Sequence, residues 1–259
     1  MPNRSASRRL RNSLQGMLLS TGLLGAAQAE TLVIAGDIWC PVNCVPGSAQ
    51  PGIFVELAQE IFAEAGIQVQ YQTLNWARTL REVRAGELNA AIGAGVEDAP
   101  DFLFTPTPVA QSRYCFYTRT DSTWDYRGVT SLPGQRLGVI NDYSYGEQLN
   151  AYVKKHGKTD QVQAVAGDNA LELNLGKLQR GRLDVVLENS WVMQSTLASA
   201  GHEPLREAGC REPDVPIYLA FSPTHVHSKR YVDLFERGLQ RYRANGRLQA
   251  LLVEYGVKK

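Results

Sequence analysis

Apolar residues in this 259-residue chain fall into short runs and helical stripes that take turns along the sequence. "TLVIAG" at 31–36 predicts a first strand, and the turn-rich "DIWCPVNCVPGSAQPG" after it predicts a long loop. Ile53, Leu57, Ile61 and Ala65 recur at helical spacing, which predicts an amphipathic helix over 53–65 ended by Gly66. "IQVQYQT" alternates as a strand does, Trp76 to Ala85 reads as a second helix, and residues 88–92 read as another strand. This βαβαβ order implies a parallel sheet covered by helices, because crossovers in such units are right-handed.

The same pattern then returns. "LREVRAGELNAAIGA" at 80–94 is echoed by "LGKLQRGRLDVVLEN" at 175–189, with Gly86 and Gly181 as matching helix stops ahead of a short apolar strand. Around the second copy, strands over 135–141 and near 161–165 and helices over 145–156 and 169–180 complete another unit, ending in a strand at 183–187. The strand "RYCFYTR" at 113–119 reads as the first crossing between units and "VPIYLAFSP" at 215–223 as the return. A final helical pair, Lys229 to Asn245 and Arg247 to Tyr255, is expected to pack on the first unit. The organisation is therefore α/β in two matched lobes, 30–118 plus 216–259 and 119–215. Small molecules bind in clefts of this kind, at the carboxyl ends of parallel strands.

Composition narrows the picture. Residues 1–29 carry Arg4, Arg8, Arg9 and Arg11, then an apolar stretch from Met17 to Ala27 and the small-residue site Ala27-Gln28-Ala29, the pattern of a secretory signal peptide. The apolar run is too short for a membrane anchor, and no cysteine follows the cleavage site to accept a lipid. Removing the leader leaves 23 basic against 26 acidic residues, a net charge of −3, which argues against nucleic acid as a partner. All four cysteines lie in the exported part, where disulfides form. Cys40 with Cys44 is favoured because Pro41 and Asn43 suit a tight loop, leaving Cys115 with Cys210. Zinc is disfavoured, since there is no Cys-x-x-Cys pair with histidines nearby, and no metal or cofactor is expected.

The order of these elements, with "PGIFVELAQEIFAEAGIQVQYQTLNWARTLREVRAGELNAAIGA", "LPGQRLGVINDYSYGEQL" and "RYRANGRLQALLVEYG", resembles the type II periplasmic solute-binding proteins of bacterial ABC importers. The branch of bacterial extracellular family 3 that includes polar amino-acid binders is the most similar. The resemblance spans nearly all of the exported chain. It implies two lobes joined by two hinge strands, closing on a small polar ligand, with an inner-membrane ABC permease as partner. It also implies a free monomer in the periplasm. Amino-acid binders of this kind usually carry a serine- or threonine-bearing loop and an arginine after the first repeat strand. Here that loop reads "GAGVEDAPDF", with Glu97 and Asp98 and no arginine. Their aspartate for the ligand ammonium follows the second repeat strand, where this chain has Asn189 beside Glu188.

Candidate chemistry gathers at the loops facing the expected cleft. Trp39 and Trp76 are placed to offer flat faces to a ligand, and burial in the core is the competing reading for each. Arg78 in "NWAR" supplies a guanidinium able to grip a carboxylate, while Gly95, near Gly93, permits close backbone approach. Glu97 completes the first-lobe set. In the second lobe, Ser144 is expected to cap a helix, leaving the backbone donors of Tyr145 and Gly146 facing the cleft, with hydroxyls from Tyr143 and Tyr145 beside them. Asn169, with Asp168, stands at the next helix start as cap or ligand contact, and Glu188 and Asn189 end the repeat strand. Two enzyme readings compete with binding. "DYSYG" sits like a nucleophile elbow but has Asp142 where a glycine is required, and no histidine carries a recognisable partner. A dehydratase-like enzyme would instead use Glu97, Asp98 or Glu188 as a general acid with raised pKa in a closing cleft. A third class is a ligand-sensing partner of a membrane receptor.

Overall fold

A computed structural model describes Met1 and residues 29–167, 169–198 and 201–257. All but the ends of the expected leader, and Asp168, lie outside the described residues. The strands are β1 (Glu30–Gly36), β2 (Ile67–Thr73), β3 (Ala90–Ala94), β4 (Ala110–Ser112), β5 (Tyr114–Arg119), β6 (Leu137–Ile140), β7 (Val162–Val165), β8 (Val185–Asn189), β9 (Leu205–Cys210) and β10 (Val215–Phe221). The helices are α1 (Ile53–Ala63), α2 (Trp76–Ala85), α3 (Glu147–His156), α4 (Ala170–Gln179), α5 (Ser190–Ala198), α6 (Ser228–Ala244) and α7 (Arg247–Glu254). None of these helices is long and apolar enough to cross a membrane.

The strands form two five-stranded sheets, ordered β2-β1-β3-β10-β4 and β7-β6-β8-β5-β9. In each, three parallel strands are followed by one antiparallel strand and then an edge strand antiparallel to that one, so the repeat seen in the sequence is a repeat of topology. The chain passes between the sheets at Arg113: β4 pairs with β10 in the first sheet, and β5 pairs with β8 and β9 in the second. The strand expected at 113–119 thus belongs to the second sheet as β5, and the crossing is Arg113, the single residue between β4 and β5. The return runs through residues 211–214, between β9 and β10.

Local chemistry accounts for the framework. α2 starts where the Asn75 side chain accepts from the Arg78 backbone N–H at 3.0 Å, and stops where Gly86 turns left-handed at φ 81°. α1 buries Ile53, Phe54, Leu57, Ile61 and Phe62 against the first sheet and α6. Phe62 stacks on Phe235 with ring centroids 6.0 Å apart and meets Phe221 and Tyr231 edge-on, which fixes the C-terminal helices on the first sheet as expected. Burial of each such ring contributes about 1.5–3 kcal/mol. Both disulfides join the expected cysteines; Cys115 and Cys210 face each other across the β5–β9 pair.

Candidate ligand-binding site

The loop leaving β1 is drawn tight by the Cys40–Cys44 disulfide and by hydrogen bonds from Trp39 N to Asn43 O and from Val42 N to Trp39 O, each 2.9 Å. This turn lays the Trp39 ring on Gly93 at the end of β3. A Cβ added to Gly93 would meet Trp39 Cζ3 at 3.1 Å, and the residue's φ of +80° suits glycine alone. Gly93 therefore lets the indole approach the backbone closely, and it also lines the adjoining cavity. Two residues on, the chain folds back: Asp98 N donates to Gly95 O at 3.1 Å, and Gly95 N donates to Asp98 Oδ2 at 2.7 Å. Trp76, first residue of α2, is buried with its indole N–H facing Asp98, short of full hydrogen-bond geometry.

Side chains from the second sheet meet these groups directly. Trp39 Nε1 donates to Glu188 Oε1 at 3.1 Å, and the Tyr143 hydroxyl donates to Asp37 Oδ2 at 2.5 Å. Ser144 N donates to Asp98 Oδ1 at 3.1 Å, while Ser144 Oγ and Asn150 Nδ2 both donate to Glu97 Oε2 at 3.2 Å. The two halves are thus laced together by acceptors of the first and donors of the second, Trp39 to Glu188 running the other way.

Electrostatics is set by burial. Glu188 is fully buried; its Oε1 accepts from Trp39 and from Asn189 N at 2.7 Å, but its Oε2 accepts no hydrogen bond from the described residues. Desolvation pushes its pKa up to about 7, against the pull of those two donors and with a further push from Asp37. Asp98 is also raised to about 7 by desolvation, although the Gly95 and Ser144 amides and Trp76 favour its charged form. Tyr143 is held well above its ordinary value, first by desolvation and then by Asp37 and Glu188.

Three cavities meet at Asp37. One of about 110 Å³ is lined by Trp39, Tyr143, Asn169, Glu172 and Glu188, room for a small solute instead of a single water. Two narrower ones, each about 20 Å³, extend it toward Asp98 and Tyr114 and toward Asn75 and Asp142. Among the described residues no lysine or arginine lines any of them. A roomier groove of about 590 Å³, lined by Arg113, Trp191, Asp214 and Arg243, shares no residue with these.

The candidates named from sequence separate into two groups. Trp39, Trp76, Gly95, Glu97, Tyr143, Ser144 and Glu188 are drawn to the junction of the halves, and Asn169 lines the largest of its cavities. Trp39 and Trp76 are buried and also line the cleft, so the two readings offered for them are not exclusive. Arg78 is elsewhere: its half-exposed guanidinium pairs with Glu82 one helical turn along α2, at 2.5 Å. Tyr145 is a core residue whose hydroxyl accepts from Ile140 N at 2.8 Å, and its backbone N–H is taken by Asn150 Oδ1 at 2.8 Å. Asn189 caps α5, accepting from Trp191 N and Val192 N, and donates to Ser112 Oγ at 2.7 Å. Ser144 caps nothing, because α3 begins at Glu147 after Gly146. Asn169 stands at the N-cap of α4 without a side-chain cap bond. Asp37 and Tyr114 went unread in the sequence; Asp37 is the first residue past β1, the strand end where such clefts form, and that position was its available signal.

The family model of bacterial extracellular solute-binding proteins, family 3, matches residues 32–258. Comparison with curated protein sequences gives no match. Among solved structures, the chain is similar to an amino acid ABC transporter substrate-binding protein, AbpA of Streptococcus pneumoniae, bound to L-arginine (18% identity, 88% of this chain and 97% of that one, TM-score 0.68). It is similar as well to a structure from work on glutathione import through GshT and the cystine ABC importer TcyBC of Streptococcus mutans (16%, 88% and 95%, TM-score 0.73). A histidine kinase sensor domain with similarity to periplasmic binding proteins also matches (18%, 87% and 95%, TM-score 0.71). At these identities the structures speak for the fold, and the family match speaks for descent: two sheets of one topology facing across a polar cleft, over a matched span of 32–258, place the chain in the bacterial extracellular solute-binding proteins, family 3.

Proposed function

We propose that the protein captures a small polar solute, an amino acid or a related compound, between its two lobes and presents it to an inner-membrane ABC permease. The observation that carries this reading is the convergence of Trp39, Asp37 and Asp98 from the first half with Tyr143, Ser144 and Glu188 from the second around one set of cavities. A solute touching both halves favours the closed arrangement, and only such differential affinity shifts an opening equilibrium. Similarity to an arginine-bound transport protein and to a glutathione-import structure supports a small polar ligand. In this reading the lobes are those expected at 30–118 plus 216–259 and at 119–215, with β5 going to the second lobe because its strand partners are there; residues 1–29 are a cleaved leader, and the mature chain is a periplasmic monomer without cofactor.

Two other readings each have an observation behind them. Asp98 and Glu188, both raised to about 7, are suited to a general acid in a dehydratase-like enzyme. The likeness to a kinase sensor domain suits a protein that reports a ligand to a receptor. Tryptophan fluorescence during titration with candidate solutes, with product analysis of the same samples, separates binding from turnover. A saturable change without product is the result expected of a binder; conversion of the solute would replace that reading with an enzyme.

A further inference from the structure

The linings of the three cavities are one-sided in charge. Asp37, Asp98 and Glu188 contribute carboxylates, and among the described residues no lysine or arginine lines these cavities. Arg78 is engaged by Glu82, and Arg211 packs its guanidinium on Gly146 and donates to the Pro213 carbonyl. Four aromatic rings, Trp39, Trp76, Tyr114 and Tyr143, line the Asp98 end. Most donors at this junction are already committed to acidic or amide partners: Tyr143 OH to Asp37, Ser144 N to Asp98, Tyr145 N to Asn150, and Trp39 Nε1 to Glu188. At the other end Glu188 Oε2, fully buried, accepts from nothing among the described residues.

We propose that this cleft takes an organic cation, a primary amine or guanidine without a carboxylate, with its N–H groups on Glu188 and Asp98 and its carbon chain between the aromatic rings. The proposal rests on the binding-protein reading above and names the chemical class it selects. A buried carboxylate is satisfied best by a charged N–H donor, and aromatic faces attract the same cation. An amino acid brings its own carboxylate as well. That group would meet like charges in a water-poor cleft, with no arginine among the described residues lining it to receive it. Asp98 and Glu188 stand in neighbouring cavities that share Asp37, Trp39 and Tyr143, so a chain with a cation at each end reaches both.

Matched pairs that differ only in the α-carboxylate test this: agmatine against arginine, and putrescine against ornithine, titrated calorimetrically into the mature protein. The expected result is that an amine binds at least tenfold tighter than its amino acid, and that Glu188→Gln and Asp98→Asn each weaken it at least tenfold while keeping the wild-type circular dichroism spectrum. Arginine or ornithine binding as tightly as its amine would overturn the proposed class and leave the binding-protein reading standing. No binding by either member of both pairs would also overturn the class, and a thermal-shift screen of uncharged and anionic solutes would then judge the binding reading by itself. Chemical conversion of any of the four compounds would overturn both.

Discussion

The indole N–H of Trp39 donates to Glu188 Oε1 at 3.1 Å, joining the loop after the first strand to the next-to-last residue of β8, 149 residues away in sequence. One residue thereby does two jobs. Its ring lines the cleft, and its donor holds one oxygen of a buried carboxylate whose other oxygen has no hydrogen-bond partner among the described residues. Trp39→Phe keeps a ring and removes the donor. A lost bond to a buried charge costs about 1.5–3 kcal/mol, so the affinity for the solute should fall by about tenfold or more. Calorimetry on the variant and the wild type measures it; equal affinities would remove Trp39 Nε1 from the account.

Stability should depend on pH in an unusual direction for a carboxylate. Glu188 has a folded pKa of about 7 against an ordinary 4.5, so the folded protein keeps a proton that the unfolded chain gives up. Stability from this group is present below pH 4.5 and is lost as pH rises through 7. The span corresponds to roughly 3 kcal/mol for a fully buried group. Asp98, raised to about 7, adds a slope of the same sign. Thermal melts of wild type and Glu188→Gln at pH 5 and pH 8 check it: the variant should gain on the wild type at the higher pH, and parallel behaviour would show that Glu188 ionises without penalty.

Ligand binding should run the other way. A cation needs Glu188 and Asp98 ionised, and both titrate near 7. The affinity for agmatine should therefore rise between pH 5.5 and 8, with proton release on binding below pH 7 visible as a buffer-dependent heat. An affinity flat across that range would mean that neither carboxyl faces the ligand.

Gly93→Ala should damage the site from behind. The substitution places a Cβ 3.1 Å from the Trp39 ring on a backbone with φ +80°. Left-handed backbone costs a residue with a Cβ about 1–2 kcal/mol, and the ring must shift besides. Chemical denaturation should register that loss, and solute affinity should fall with it. Gly66→Ala, left-handed with open space around it, should lose stability alone.

The cross-strand disulfide closes a long loop. Cys115 and Cys210 are separated by 95 residues and lie on the two antiparallel partners β5 and β9. Replacing both with serine should cost about 2–4 kcal/mol, read from denaturant unfolding of the oxidised wild type and the variant. The short Cys40–Cys44 loop should matter less for global stability and more for the placement of Trp39.

Much of the framework is legible because its cause is local. Gly86 marks the end of α2 in the sequence and α2 stops beside it, while its start at Trp76 is held by the Asn75 side chain just before. The repeated glycine-strand pattern foretells two sheets of matching order. Other elements depend on partners far along the chain. β9, "LREAGC", buries only Ala208 fully and has no strand-like apolar alternation; pairing with β5 makes it a strand. α5 has no apolar stripe, and its one local signal, Asn189 as an N-cap, reads as a ligand group when seen alone. The site divides on the same line. Residues at strand ends, such as Trp39 and Glu188, fall where topology sends them. Arg78 is one helix position from relevance: a residue two after Trp76 points to another face of α2, where Glu82 is its neighbour. The meeting of Asp37 with Tyr143 joins positions 106 residues apart, and no periodicity encodes it.

The central claim is that the solute lies in the cavity that Trp39 and Glu188 line together, with Arg78 outside it. Calorimetric titration of Glu188→Gln and Arg78→Ala, using whichever compound binds the wild type most tightly, tests it most directly. Glu188→Gln should weaken binding at least tenfold, and Arg78→Ala should leave it within about twofold. Loss of binding in Arg78→Ala, with Glu188→Gln unchanged, would contradict the account.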